Sequence, residues 1–217
     1  VIGVLGIGLV LALALPAFSR ADERVDITAM DGAQLIGDLA GTSGPGVVLV
    51  HGQRHDRRVW EAAAHAIAAR GFRTLRFDLR GHGDSNGSAD VTARERDVEG
   101  AFRYLLARKI RPVFLVGEGI GGTAALIAAT RVPVAGVVAL ALPPATQVPD
   151  PTTALPNLRA PILFLTHDPD PPRNLTALAP QSRVVKLSGP VDLSSSEVVE
   201  ALIAFLSDPK GAPPEPK

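Results

Sequence analysis

Short, mostly apolar stretches recur along this chain with helix-patterned stretches between them, and this alternation limits the fold more than any other feature. Val47–Val50, Arg73–Phe77, Val113–Val116, Val134–Leu140, Ile162–Leu165 and Val184–Leu187 read as strands. Val59–Arg70, Val91–Lys109, Ile120–Thr130 and Ser194–Leu206 read as helices, with Val98, Ala101, Phe102, Leu105 and Leu106 on one face of the second and Val198, Leu202, Phe205 and Leu206 inward on the last. Strands with little polar alternation are covered on both faces, and helices between them make the sheet parallel. A hairpin precedes them, Val25–Thr28 and Leu35–Leu39 flanking Asp31-Gly32. The expected fold is α/β, a three-layer sandwich with a mostly parallel eight-stranded sheet between helices.

With 217 residues and 46% hydrophobic content, one domain with a full core is expected. Its span is 22–207. The connection from Pro143 to Ala160 is short and proline-rich, leaving no room for a lid domain. Residues 208–217, rich in proline and polar groups, read as a disordered tail. Val1 to Ser19 is apolar and uncharged all round, which suits a signal peptide or a membrane anchor rather than a core helix. Ser19-Arg20-Ala21 fits a small-x-small cleavage pattern that would leave Asp22 first. Export to the periplasm or medium is expected, with anchoring by 1–19 as the alternative. Lys+Arg and Asp+Glu are both 22, so net charge points to neither nucleic acid nor an anionic surface, and membrane contact is expected only through an uncleaved N-terminal segment. There is no cysteine, which removes disulfides, thiolate metal sites and cysteine nucleophiles.

Between Arg111 and Leu126 the chain reads strand, tight turn and helix, the turn being Gly117-Glu118-Gly119-Ile120-Gly121-Gly122. A turn of the form G-x-S-x-G in this setting is a nucleophile elbow. Its central position here is Gly119, which has no side chain to present. The same letters spell G-x-G-x-x-G, a dinucleotide fingerprint. That motif lies in mid-chain, and the following strand, Val134–Leu142, ends without an acid for a ribose, so no cofactor is expected.

Three segments together resemble the α/β-hydrolase family: VVLVHGQRHDRRVWEAAAHAIAARGFRTLRFDLRGHGDS (47–85), VGEGIGG (116–122) and APILFLTHDPDPP (160–172). The resemblance runs from about Val25 to Leu206. It implies a triad in the order Ser, Asp/Glu, His. The nucleophile position falls on Gly119. The acid turn offers Asp168 and Asp170, of which Asp170 aligns better. The histidine position falls on Asp192, or the Gly-His pair is deleted; no histidine follows His167. The oxyanion donors implied are the backbone N–H groups of Gln53 and Ile120.

The reading is a degenerate triad: an exported, non-catalytic member of the fold that binds a small molecule or a protein partner at the former active-site edge. An alternative keeps an enzyme. His51, His55, Glu118, His167, Asp168, Asp170 and Asp192 fall near the carboxyl ends of strands, where ligands of such sheets bind. Carboxylates and imidazoles there could activate water for hydrolysis of small esters or related substrates. Their spacing matches no metal motif, and no metal is expected. A third reading is a copy with no selected role. His82 and Ser85 in Arg80-Gly-His-Gly-Asp-Ser85 read as turn residues, Trp60 as core, and Arg54, Arg57 and Arg58 as a solvated loop face or an anion contact.

Overall fold

A computed structural model describes residues 21–143, 150–167 and 173–211. The hairpin forms as β1 (Glu23–Thr28) and β2 (Gln34–Ala40), antiparallel, turning at Gly32 with φ +93°. Then come β3 (Gly46–Val50), α1 (Glu61–Ala69), β4 (Arg73–Phe77), α2 (Arg94–Ala107), β5 (Val113–Glu118), α3 (Ile120–Ala128) and β6 (Gly136–Leu140). They are followed by β7 (Ile162–Thr166), α4 (Arg173–Leu178), β8 (Ser182–Lys186) and α5 (Ser196–Ser207). The sheet order is β1-β2-β4-β3-β5-β6-β7-β8, with β2 antiparallel to both neighbours and every pair from β4 onward parallel.

The apolar strands divide their side chains by parity, as pleating requires. Val48, Val50, Leu115 and Phe164 face a core built with α2, α3 and α4, while Val47, Leu49, Val116 and Leu163 face a second core built with α1 and α5. Trp60 is fully buried in the second. Full burial of a side chain such as Leu49 contributes about 1.5–3 kcal/mol, and the few polar residues buried in the strands, such as Thr74 and Arg76, carry hydrogen bonds or ion pairs.

Several boundaries differ from the sequence reading. The helix read over Val59–Arg70 opens as a 3-10 turn, Arg57–Trp60, because the Asp56 carboxylate accepts from the Arg58 N–H and fixes a tight start. The stretch from Val91 likewise begins as a 3-10 turn capped by Asp90, and α2 proper starts at Arg94. The strand read from Val134 starts at Gly136. Two 3-10 turns, Pro151–Thr153 and Leu155–Asn157, and α4 interrupt segments read as irregular. Their apolar residues Leu155 and Leu175 are too few to show a helical period, yet both are buried in the first core.

Candidate active site

The elbow is present in the backbone. Residue 119 closes β5 and caps α3 with φ +58° and ψ −124°, the conformation that throws a side chain outward and that L-residues rarely adopt. Its N–H donates to Leu140 O at 2.8 Å, tying the corner to β6. The flanking glycines are sterically required. A Cβ at Gly117 would lie 2.4 Å from Gly121 O, and one at Gly121 would lie 2.4 Å from His51 O. A Cβ at Gly119, by contrast, would meet only Gly52 Cα, at 3.9 Å. The corner has room for the side chain that it lacks.

The N–H groups of Gln53 and Ile120, the expected oxyanion donors, have no hydrogen-bond partner among the described residues. Gln53 lies in the loop after β3 and Ile120 opens α3, so each is an N–H at the carboxyl edge of the sheet. The Gln53 carbonyl is engaged, 3.0 Å from His82 Nε2, and His82 Nδ1 lies 2.9 Å from Arg80 O. His82 therefore joins two loops, in keeping with its reading as a turn residue. Ser85 does the same in its own turn, donating to Asp78 O at 2.7 Å and accepting from Ile36 N–H.

The other candidates separate. Glu118 and His55 come together: Glu118 Oε2 accepts from Gly52 N–H at 2.8 Å and from His55 Nδ1 at 3.0 Å. The carboxylate is mostly shielded and the imidazole is exposed. His51, expected at the pocket, is instead a buried structural residue. Its Nδ1–H donates to Gly52 O and its Nε2 accepts from Leu79 N–H, which requires the neutral ring. Burial pushes its pKa down to about 4. Asp192 is exposed and faces its own turn. It accepts from Ser194 N–H and Oγ at the entrance to α5, which lowers its pKa. No contact joins it to Glu118 or His55 among the described residues. Asp168 and Asp170 lie outside the described residues, and His167, just before them, is exposed. Among the described residues no group of three or more His, Asp or Glu is placed to hold a metal ion.

The loop arginines, expected on a solvated face or at an anion, divide between surface and interior. Arg54 and Arg58 are exposed, Arg58 pairing with Asp56. Arg57 is buried. It bonds Asp38, the fully buried Asp78 and Asp84. Next to this network, Arg80 bonds Asp97 and Asp31, holding Asp31 down to about 2. Burial raises the Asp97 pKa despite that contact. These ion pairs fasten the loops after β3 and β4 to each other, to β2, to the β1–β2 turn and to α2. Their only local signal is Asp78 and Arg80, both just past the end of β4.

A site of this geometry on this sheet is that of a hydrolase scaffold, and the comparisons agree. The profile of the alpha/beta hydrolase family matches residues 47–215, and the chain belongs to that family. Protein phosphatase methylesterase 1 of Mus musculus is 33% identical over 92 residues, covering 40% of this chain and 24% of that protein. The sn-1-specific diacylglycerol lipase ABHD11 of Mus musculus is 31% identical over 139 residues, 60% of this chain and 44% of that protein. The chain thus spans about a quarter and under half, respectively, of these two relatives. An uncharacterised protein of Mycobacterium tuberculosis is 28% identical over 197 residues, 88% of this chain and 69% of that one. Among solved structures, an esterase from Pyrococcus furiosus aligns with a TM-score of 0.73 at 16% identity, covering 88% of this chain and 91% of that one. The thioesterase domain from the curacin biosynthetic pathway aligns at 0.68 and 17%, covering 87% and 100%.

Proposed function

We propose that this chain is an exported α/β-hydrolase-fold protein that has no serine-hydrolase chemistry and binds a small molecule or a protein partner at the carboxyl edge of its sheet. The observation that carries this reading is the corner at residue 119: an elbow in its outward-turned conformation, room for a side chain, and no atom to attack with. A hydroxyl there would also need a base. The resemblance puts the histidine position at Asp192, which is turned to its own loop, or else its Gly-His pair is deleted. Oxyanion donors and binding alone leave only about 10³–10⁴-fold acceleration over water. A fluorophosphonate probe should therefore leave the protein unlabelled, and p-nitrophenyl ester turnover should match a heat-denatured sample. Site-specific labelling rejects the proposal. Binding at this edge is read by thermal shift against small esters and acids, with the shift abolished in Gly119→Leu, whose side chain fills the corner.

One contact favours a second reading, hydrolysis by directly activated water. Glu118 orients His55 through Nδ1. The other ring nitrogen would take a proton from water as its oxygen attacks an ester carbonyl, then return that proton to the departing alkoxide. Such an activity would survive fluorophosphonate and vanish in both His55→Gln and Glu118→Gln.

A further inference from the structure

The zero net charge conceals a segregation that only the fold displays. The connections at the amino edge of the sheet, opposite the elbow, are residues 41–45, 70–72, 108–112, 129–135, 159–161, 179–181 and 208–211. Together with residues 21–22, which lead into β1 at the same edge, they hold seven Lys or Arg residues and two acids, Asp22, which bonds Arg76 and His65, and Asp208. Asp208 is occupied too, accepting from Gly211 N–H. Acids collect at the other edge instead, among them Asp56, Asp78, Asp84, Glu118 and Asp192. Arg70, Arg108 and Arg131 have partners in Glu200, Glu23 and Glu99. Lys109, Arg111, Arg159 and Lys210 are exposed and have none among the described residues. Cations that follow helices complement the helix dipole, which accounts for Lys109 and Lys210. It does not account for Arg111 and Arg159, which lead into β5 and β7.

The same edge is where the apolar segment joins the domain. Ala21 lines a cavity of about 140 Å³ with Glu23, Gly41, Thr42 and Arg73, all at the amino edge, Glu23 being paired with Arg108. Residues 1–19, an uncharged apolar run long enough to enter a bilayer, are therefore tethered within a few residues of the cationic face. Among the described residues no helix is long and apolar enough to cross a membrane.

We infer that this edge is a docking face for an anionic phospholipid surface: residues 1–19 stay attached as an anchor, and Lys109, Arg111, Arg159 and Lys210 rest against lipid phosphates, so that the elbow edge points away from the bilayer. The inference concerns the edge opposite the elbow and holds whether or not the elbow binds a ligand. A cation at an anionic surface raises partition roughly fivefold, and salt weakens the effect.

The test uses the full chain with vesicles of phosphatidylcholine and of an equimolar mixture with phosphatidylglycerol. The apolar segment binds both, so the ratio of the two partition coefficients reports the face. Wild type should prefer the anionic vesicles at low salt and lose that preference at high salt. The exposed triple variant Lys109→Gln, Arg111→Gln, Arg159→Gln should lose the preference by on the order of a hundredfold. The matched triple at the other edge, Arg54→Gln, Arg58→Gln, Arg96→Gln, should retain it. If the first triple fails to fold, the pair Lys109→Gln, Arg159→Gln should lose about 25-fold. No preference in wild type, equal loss in the two triples, or loss under about threefold in the variants overturns the inference. So does displacement of the chain from anionic vesicles by duplex DNA, which would assign the face to nucleic acid.

Discussion

Replacing Gly119 by alanine isolates backbone strain from crowding. The residue sits at φ +58°, ψ −124°, where a side chain bears strain of about 1–3 kcal/mol. Crowding adds little, because the new Cβ meets only Gly52 Cα at 3.9 Å, an ordinary contact. Gly119→Ala should therefore destabilise by about 1–2 kcal/mol, lowering Tm by about 2–8 °C for a domain of this size. Gly121→Ala is the contrast. Its Cβ would lie 2.4 Å from His51 O and 2.7 Å from Val50 O, both backbone atoms of the central strand region. That substitution should cost more than about 4 kcal/mol or prevent folding. Urea unfolding of the two variants, with thermal melts alongside, measures the difference. Equal losses would refute the reasoning, since they would mean that the corner at 119 is packed rather than open. A loss at Gly119→Ala below about 0.5 kcal/mol would refute the strained conformation itself.

Other consequences follow from the buried polar groups. His51 is neutral in the fold with a pKa of about 4, against about 6.5 when unfolded, so its contribution is complete above pH 6.5 and is lost as pH falls toward 4. The loss is about 3 kcal/mol, and a His51→Gln variant should lack that segment of the pH–stability curve. Asp78→Ala removes the acceptor of Arg57 and of the Asp84 N–H, and should cost about 3–5 kcal/mol in urea unfolding because it leaves a buried guanidinium under-paired. Glu118→Ala frees the Gly52 N–H and the His55 ring, and should cost about 1–2 kcal/mol while speeding exchange of the Gly52 amide.

The sheet was legible because its signals are local. Val47 to Val50 is apolar at every position, and that pattern has few homes other than a strand covered on both faces. Helix α5 announced itself by period, with Val198, Leu202, Phe205 and Leu206 on one face; its cap, Ser195 Oγ accepting from Val198 N–H, is visible only in the fold. The buried ion pairs were not legible. Arg57 reaches Asp38 and Asp78, 19 and 21 residues away, and Arg80 reaches Asp31 across 49, so no window of sequence contains both partners. His51 was misplaced for a related reason. Standing at the end of a central strand fixes the level of a residue, but its direction depends on the Leu79 N–H arriving from the β4 exit. The basic edge escaped because composition sums over the molecule, and opposite edges cancel.

The elbow motif is the instructive case, since it was read correctly as structure and says little about chemistry. Gly117 must be small because Gly121 O would lie 2.4 Å from any Cβ, and Gly121 because β3 carbonyls crowd it in turn. Both demands arise from packing α3 against β5 and β3, and they would hold in any chain that makes this crossover, with or without a nucleophile. Position 119 is under neither demand: its corner is open, and glycine there relieves strain that a side chain would impose. The glycines of the motif thus report the sheet, and the one position free of steric constraint is the one that reports function. That is why the functional reading rests on residue 119 and on the polar groups around it, Glu118, His55 and the N–H groups of Gln53 and Ile120 that find no partner among the described residues, rather than on the turn that displays them.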